Sequence, residues 1–154
     1  MNEAPVIRPY QPADQPAVLD LLRQNTPQFF APEEEKDLLH YLQHEREQYY
    51  VVAAAGAVVG CGGINFSADG TVGKISWDIF HPQHQGKGLG SLLLQYRIQK
   101  LKATPQVQAI TVRTSQLVYS FYQKNGFTLK EVVKDYWAPG FDLYFMEYGE
   151  GPHN

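Results

Sequence analysis

The stretch Phe80-His81-Pro82-Gln83-His84-Gln85-Gly86-Lys87-Gly88-Leu89-Gly90-Ser91 decides the fold. An alternating apolar segment, Val72 to Phe80, enters it as a strand, and an apolar-striped segment reaching about Lys102 leaves it as a helix. Between them Gly86, Gly88 and Gly90 stand at every second position. Such a turn lets backbone N–H groups point outward at the positive end of a helix dipole, where a pyrophosphate can be held. A turn that only reverses the chain needs one or two glycines, not three in alternation.

Upstream, Val6-Ile7-Arg8 predicts a short first strand ended by Pro9 and Pro12. Asp14 is placed as the N-cap of a first helix carrying Val18, Leu21 and Leu22. Pro32 and Glu33 to Glu35 start a second helix, with Leu38, Leu39 and Leu42 on its apolar face. The three glutamates read as first-turn charge, and His40 with His44 lacks the further ligands of a metal site, so no metal is expected. Gln48 to Ala55 and Ala57 to Phe66 form a hairpin turned at Gly56. Gly60-Cys61-Gly62-Gly63 inside the second of these strands signals a bulge or a close backbone approach. Cys61 reads as a small buried hydrophobe.

In the fourth strand Ile75, Trp77 and Ile79 are expected on one face, and Ser76, Asp78 and Phe80 on the other. The helix after the glycines has Leu89, Leu92, Leu93 and Tyr96 as its main stripe, flanked by Leu94, Ile98 and Leu101. Val107 to Val112 is a fifth strand, and Leu117 to Tyr122 a last helix closed by Gly126. Phe127 to Trp137 and Phe141 to Tyr148 make a final hairpin. The expected architecture is α/β (α+β): one domain over 1–148, a mixed, mostly antiparallel sheet of about seven strands flanked by about four helices. Residues 149–154 are expected to be a fraying tail.

The composition narrows the function. The 154 residues are 44% hydrophobic and 19% charged, with net charge −3. No basic run of the nucleic-acid-binding kind and no membrane-length apolar run occurs, so neither nucleic acid nor membrane is an expected partner. One cysteine excludes an internal disulfide, and the opening Met1-Asn2-Glu3-Ala4-Pro5 lacks signal-peptide blocks, so a cytoplasmic location is expected. Ten Tyr and eight Phe point to a ring-lined core or cleft.

A Walker A loop would need glycine at His81 and a hydroxyl at Gly88; a Rossmann fingerprint would need glycine at Ser91 and a place after the first strand. What remains, Gln85, Gly88 and Gly90 in a Gln-x-x-Gly-x-Gly run with Pro82 before it, resembles the acyl-CoA signature of the GNAT superfamily of N-acyltransferases. Phe121-Tyr122-Gln123-Lys124-Asn125-Gly126-Phe127 is similar to a second segment of that family, and Ile7-Arg8 with Asp14 to its opening. The element order agrees over nearly the whole chain.

The resemblance implies a site. The cofactor would be acetyl-CoA, with no metal, held at Ile79, Phe80, Gln85, Gly86, Lys87, Gly88, Leu89, Gly90, Ser91 and Ser115. A splayed fourth strand would offer its backbone at Asp78, Ile79 and Phe80 to the pantetheine arm. Tyr122 matches the tyrosine that protonates the leaving sulfur; core packing beside Phe121 is its other reading. For the base, the fifth strand has no carboxylate and Asp78 is the substitute, with His81 and a water chain as alternatives. Asp78 could instead pair with Lys74 or cap a bulge. Phe29, Phe30, Tyr136 and Trp137 are candidate walls for a small-molecule or peptide amine. The expected reaction is direct acetyl transfer to a primary amine; a non-catalytic acyl-CoA-binding sensor or scaffold, and a nucleotide-binding regulatory domain, are the rivals. Acceptor, acyl length and oligomeric state stay open, a homodimer included.

Overall fold

The computed structural model describes residues 4–84 and 88–149. Seven strands form one sheet: β1 (Val6–Pro9), β2 (Gln48–Ala54), β3 (Ala57–Phe66), β4 (Val72–Phe80), β5 (Ala109–Thr114), β6 (Phe127–Ala138) and β7 (Phe141–Tyr148). Their spatial order is β1-β2-β3-β4-β5-β7-β6. The β4–β5 pair is parallel and the other described pairs are antiparallel. The helices are α1 (Gln15–Gln24), α2 (Glu34–His40), α3 (Leu89–Lys102) and α4 (Tyr119–Lys124). This is the expected mixed architecture.

Alternation along β2 splits the core in two. Tyr50 and Val52 join Leu93, Leu94, Ile98 and Leu101 of α3 and Tyr122 of α4. Tyr49 and Val51, one residue out of phase, join Val18, Leu21 and Leu22 of α1 and Leu38 of α2. The β2–β3 hairpin turns at Ala55 (φ 51°) and Gly56 (φ 81°), two left-handed residues whose twist matches that of the strands. Asp14 occupies the expected N-cap position of α1, but its side chain makes no cap bond to that helix. It ends a short 3₁₀ turn, accepts the Gln11 N–H at 2.8 Å, and pairs bidentately with Arg8 at 2.8 and 2.9 Å. The fifth strand also begins later than expected, at Ala109, because Val107 closes a turn onto Thr104.

The expected two-residue alternation fails in β4. Cys61 pairs with Ile79 but Gly63 with Ser76, so β4 carries an extra residue between them. Trp77 stands at φ 49°. This bulge swaps the faces beyond it. Ile75 packs on the α3 side, whereas Ile79, with Trp77 partly buried beside it, packs on the α1 side. Ser76 bonds Asn65 at 2.8 Å, near Tyr41, while Asp78 is turned toward α3 and α4. Pairing of β4 with β5 stops at Ile75↔Val112, although β4 runs on to Phe80 and β5 to Thr114. The strands therefore part beside Asp78, the splay that the resemblance implied.

The glycine run in β3 reflects close approach. A Cβ on Gly60 would lie 2.3 Å from the Phe80 ring, and one on Gly62 2.1 Å from Asp78 Oδ1. Cys61 between them is fully buried, and burial pushes its thiol up to about 12. It is thus held as an inert thiol. A disulfide reagent such as Ellman's is expected to modify Cys61 only after denaturation; stoichiometric reaction within minutes on the folded protein would contradict this packing.

The buried stripe of α3 differs from the one its leucines suggest. Leu93, Leu94, Arg97, Ile98 and Leu101 are buried, whereas Leu92 is 44% and Tyr96 38% exposed. The stripe is centred on an arginine, which a hydrophobicity pattern reads as solvent-facing. Among the described residues no helix is long and apolar enough to cross a membrane.

Candidate active site

Two cavities open where β4 and β5 part. The first, about 560 Å³, is walled by Phe29, Phe30, Trp77 and Trp137, with Glu34 and Thr114 on its lining. The second, about 690 Å³, runs past Ile79, Phe80, Gly88, Gly90, Ser91 and Phe121. Phe29, Phe30, Asp78, Val118 and Tyr122 line both. The boundary between the two spaces thus carries one carboxylate and one phenol.

Those two groups are bonded to each other. The Tyr122 hydroxyl donates to Asp78 Oδ2 at 2.6 Å, the length of a charge-assisted O–H···O⁻ bond. On its other side Asp78 Oδ1 lies 2.6 Å from Nη2 of Arg97, whose side chain is fully buried. That contact is made off the hydrogen-bond axis, since neither atom makes an aligned hydrogen bond among the described residues. The rest of the guanidinium is fixed by backbone: Nη1 donates to Gly63 O at 3.0 Å and Nε to Leu93 O at 3.3 Å. Asp78 is therefore partnered by Arg97 of α3, not by Lys74 of its own strand.

Electrostatics follow from this burial. Desolvation raises the Asp78 carboxyl above its usual range, opposed by the charge of Arg97 and the bond from Tyr122. Burial, with the adjacent Asp78 charge, raises the Tyr122 phenol well above its ordinary value. At neutral pH Tyr122 holds its proton and directs it at Asp78. The core-packing reading of Tyr122 is also met, its ring centroid lying 5.0 Å from Phe121 and 5.6 Å from Phe127.

The remaining candidates line one cavity, the other, or neither. Ile79, Phe80, Gly88, Gly90 and Ser91 line the second. Gly88 occupies the left-handed position before α3 at φ 81°, where a side chain would be strained. Gly90 serves packing as well: its Cβ would meet the Phe121 ring at 3.1 Å. Leu89 packs on the core. Ser115 lines the first cavity, not the second, and its hydroxyl accepts the Leu117 N–H at 3.2 Å. Phe29, Phe30 and Trp137 line the first cavity, while Tyr136, 47% exposed, stands outside both linings and accepts from Arg113 at 2.5 Å. His81 spends Nδ1 on the Gln83 N–H and lines neither cavity. Gln85, Gly86 and Lys87 lie outside the described residues.

Three further residues shape the site: Arg97 and Asn25, which the sequence did not assign to it, and Glu34, which was read as first-turn charge but is buried on the cavity wall. Arg97 carries the buried charge. Glu34 is 8% exposed, accepts the Ala31 N–H at 2.8 Å and places a carboxyl, raised by burial, on the first cavity's wall. Asn25 donates to Phe80 O at 2.9 Å and its carbonyl accepts from Phe29 and Phe30, tying the aromatic loop to β4. The available signal for Arg97 was its spacing, four residues from both Leu93 and Leu101.

Comparison with known proteins agrees with this geometry. Residues 16–127 match the model of the acetyltransferase (GNAT) family. The chain belongs to that family. It is 27% identical over 138 residues to an amino-acid acetyltransferase of Pasteurella multocida, covering 86% of this chain but only 29% of that protein. The ribosomal-protein-S18-alanine N-acetyltransferase of Escherichia coli shares the fold, with a TM-score of 0.76 at 18% identity over 98% of both chains. An aminoglycoside 6′-N-acetyltransferase solved with coenzyme A does so with a TM-score of 0.74 at 16% identity, over 97% of this chain and 99% of that one.

Proposed function

We propose that this chain transfers the acetyl group of acetyl-CoA to a primary amine by direct attack, with both substrates bound at once. The observation that carries the reading is the shared boundary of the two cavities, where Asp78 and Tyr122 meet. The second cavity fits the cofactor. It has an uncovered β4 edge for an extended amide arm and a left-handed glycine opening a 14-residue helix toward which phosphates can be drawn. Bound there, acetyl-CoA would supply an activated acyl carbon and a thiolate leaving group. The residues expected to hold it are Ile79, Phe80, Gly88, Gly90 and Ser91, with Gln85, Gly86 and Lys87, which precede Gly88 in the sequence. The first cavity would take the amine between Phe29, Phe30 and Trp137.

The chemistry asked of the protein is proton traffic. As the C–N bond forms and the C–S bond breaks, the nitrogen sheds a proton and the sulfur takes one. Asp78 accepts the proton from nitrogen and Tyr122 gives its own to sulfur. The 2.6 Å bond between them then returns the proton from Asp78 to Tyr122, restoring both groups. No nucleophilic side chain is required, which agrees with the inert state of Cys61. A positioned acid or base of this kind contributes about 10²–10⁴-fold.

The test is thiol release from acetyl-CoA in the presence of amino acids, polyamines, aminoglycosides and peptide N-termini. Release that depends on one amine class is expected. Saturable binding of coenzyme A without turnover on any class would turn the reading to the non-catalytic sensor.

A further inference from the structure

We propose that Arg97 is a positioning residue, a buried cation that keeps Asp78 ionised and aimed at Tyr122. The inference deepens the proton-transfer reading above, but its physical content concerns the carboxyl itself. A buried ion pair is seldom the cheapest way to fill a core, since well-packed apolar residues do as well or better. Here three separate features of the chain make room for one. The bulge at Trp77 turns Asp78 from the α1 side of the sheet to the α3 side. Gly62 leaves out a Cβ that would stand 2.1 Å from Asp78 Oδ1 and 2.8 Å from Arg97 Nη1. Gly63 lends its carbonyl to the guanidinium.

The surroundings of Asp78 leave the task to Arg97. Tyr122 faces it from α4, and Tyr49 of β2 and Cys61 of β3 lie near enough to feel its charge through space. All three are held neutral, since burial pushes each of them up. Among the described residues Arg97 is therefore the charged group that faces Asp78. Its second use comes during turnover. When Tyr122 gives up its proton, a phenolate and a carboxyl share a 2.6 Å contact, and the guanidinium opposes the charge gathered there.

The experiment follows the Asp78 carboxyl by carbon NMR in protein labelled at aspartate carboxyls, with Asp78→Asn identifying the signal, alongside pH–rate profiles. Arg97→Met and Arg97→Gln are compared with wild type and Arg97→Lys; glutamine can still bond Gly63 O, so one neutral variant should fold if methionine does not. In the neutral variants the Asp78 signal is expected to titrate at higher pH. Activity on the acidic limb should fall about tenfold or more beyond any loss on the plateau. Arg97→Lys should restore most of both. An Asp78 titration unmoved in a folded neutral variant overturns the proposal. If the titration moves while the acidic limb survives in Asp78→Asn, Arg97's hold on the carboxyl stands and the assignment of Asp78 as base falls.

Discussion

Asp78→Asn is expected to lower kcat by about 10²–10⁴-fold while leaving coenzyme A affinity nearly unchanged. Asparagine can still accept the Tyr122 hydroxyl through its amide oxygen while losing the proton acceptor; because it also leaves the buried Arg97 without a counter-charge, the rates are compared on protein shown to be folded. The pH dependence gives the sharper signature. A base works in its ionised form, so the wild-type rate falls as pH drops through the Asp78 pKa, which burial raises. That acidic limb should vanish in Asp78→Asn. A full-height limb in the variant would show that the proton leaves nitrogen by another route, a water chain among them.

The second large effect is on stability. Arg97→Met leaves Asp78 in a dry site without its counter-charge, and breaking a buried pair in this way costs about 3–5 kcal/mol. A neutral pair should be tolerated far better. The double variant Arg97→Met with Asp78→Asn keeps the acceptor for Tyr122 and removes both charges, so it should regain at least half of the single variant's loss. Urea unfolding of the four proteins closes the cycle. Equal destabilisation in single and double variants would mean that the guanidinium matters through its bonds to Gly63 and Leu93 rather than through Asp78.

The parts of this molecule that were legible in its sequence are those governed by local rules. The Ala55-Gly56 hairpin, the strand patterns of β2 and β7, and the left-handed Gly88 before α3 each follow from conformational preference or from period. The Gly60-Cys61-Gly62-Gly63 run correctly signalled close approach, yet what approaches, Phe80 to Gly60 and the Asp78–Arg97 pair to Gly62, is a tertiary fact. Asp78 does share a face with Phe80, opposite Trp77 and Ile79, but Ile75 and Ser76 were grouped with the wrong sides for a similar reason. One extra residue at Trp77 reverses every side chain beyond it, and an unbroken alternation cannot announce where it will be interrupted. Arg97 was hidden because charge is read as exposure, and only a partner on another strand makes that reading fail. Tyr136, grouped with Trp137 by adjacency, does pack beside it, the rings 4.9 Å apart and both over the Arg113 guanidinium, but it is 47% exposed and lies outside both cavity linings.

The account rests on the space beside the uncovered edge of β4 being a binding place for coenzyme A, with Asp78 and Tyr122 at its inner end. Isothermal titration of the purified protein with coenzyme A and with acetyl-CoA tests this directly. One saturable site for each, with ATP binding more weakly, is the predicted result. Absence of heat from either thiol compound, confirmed by an absence of displacement in a second binding assay, would contradict the account.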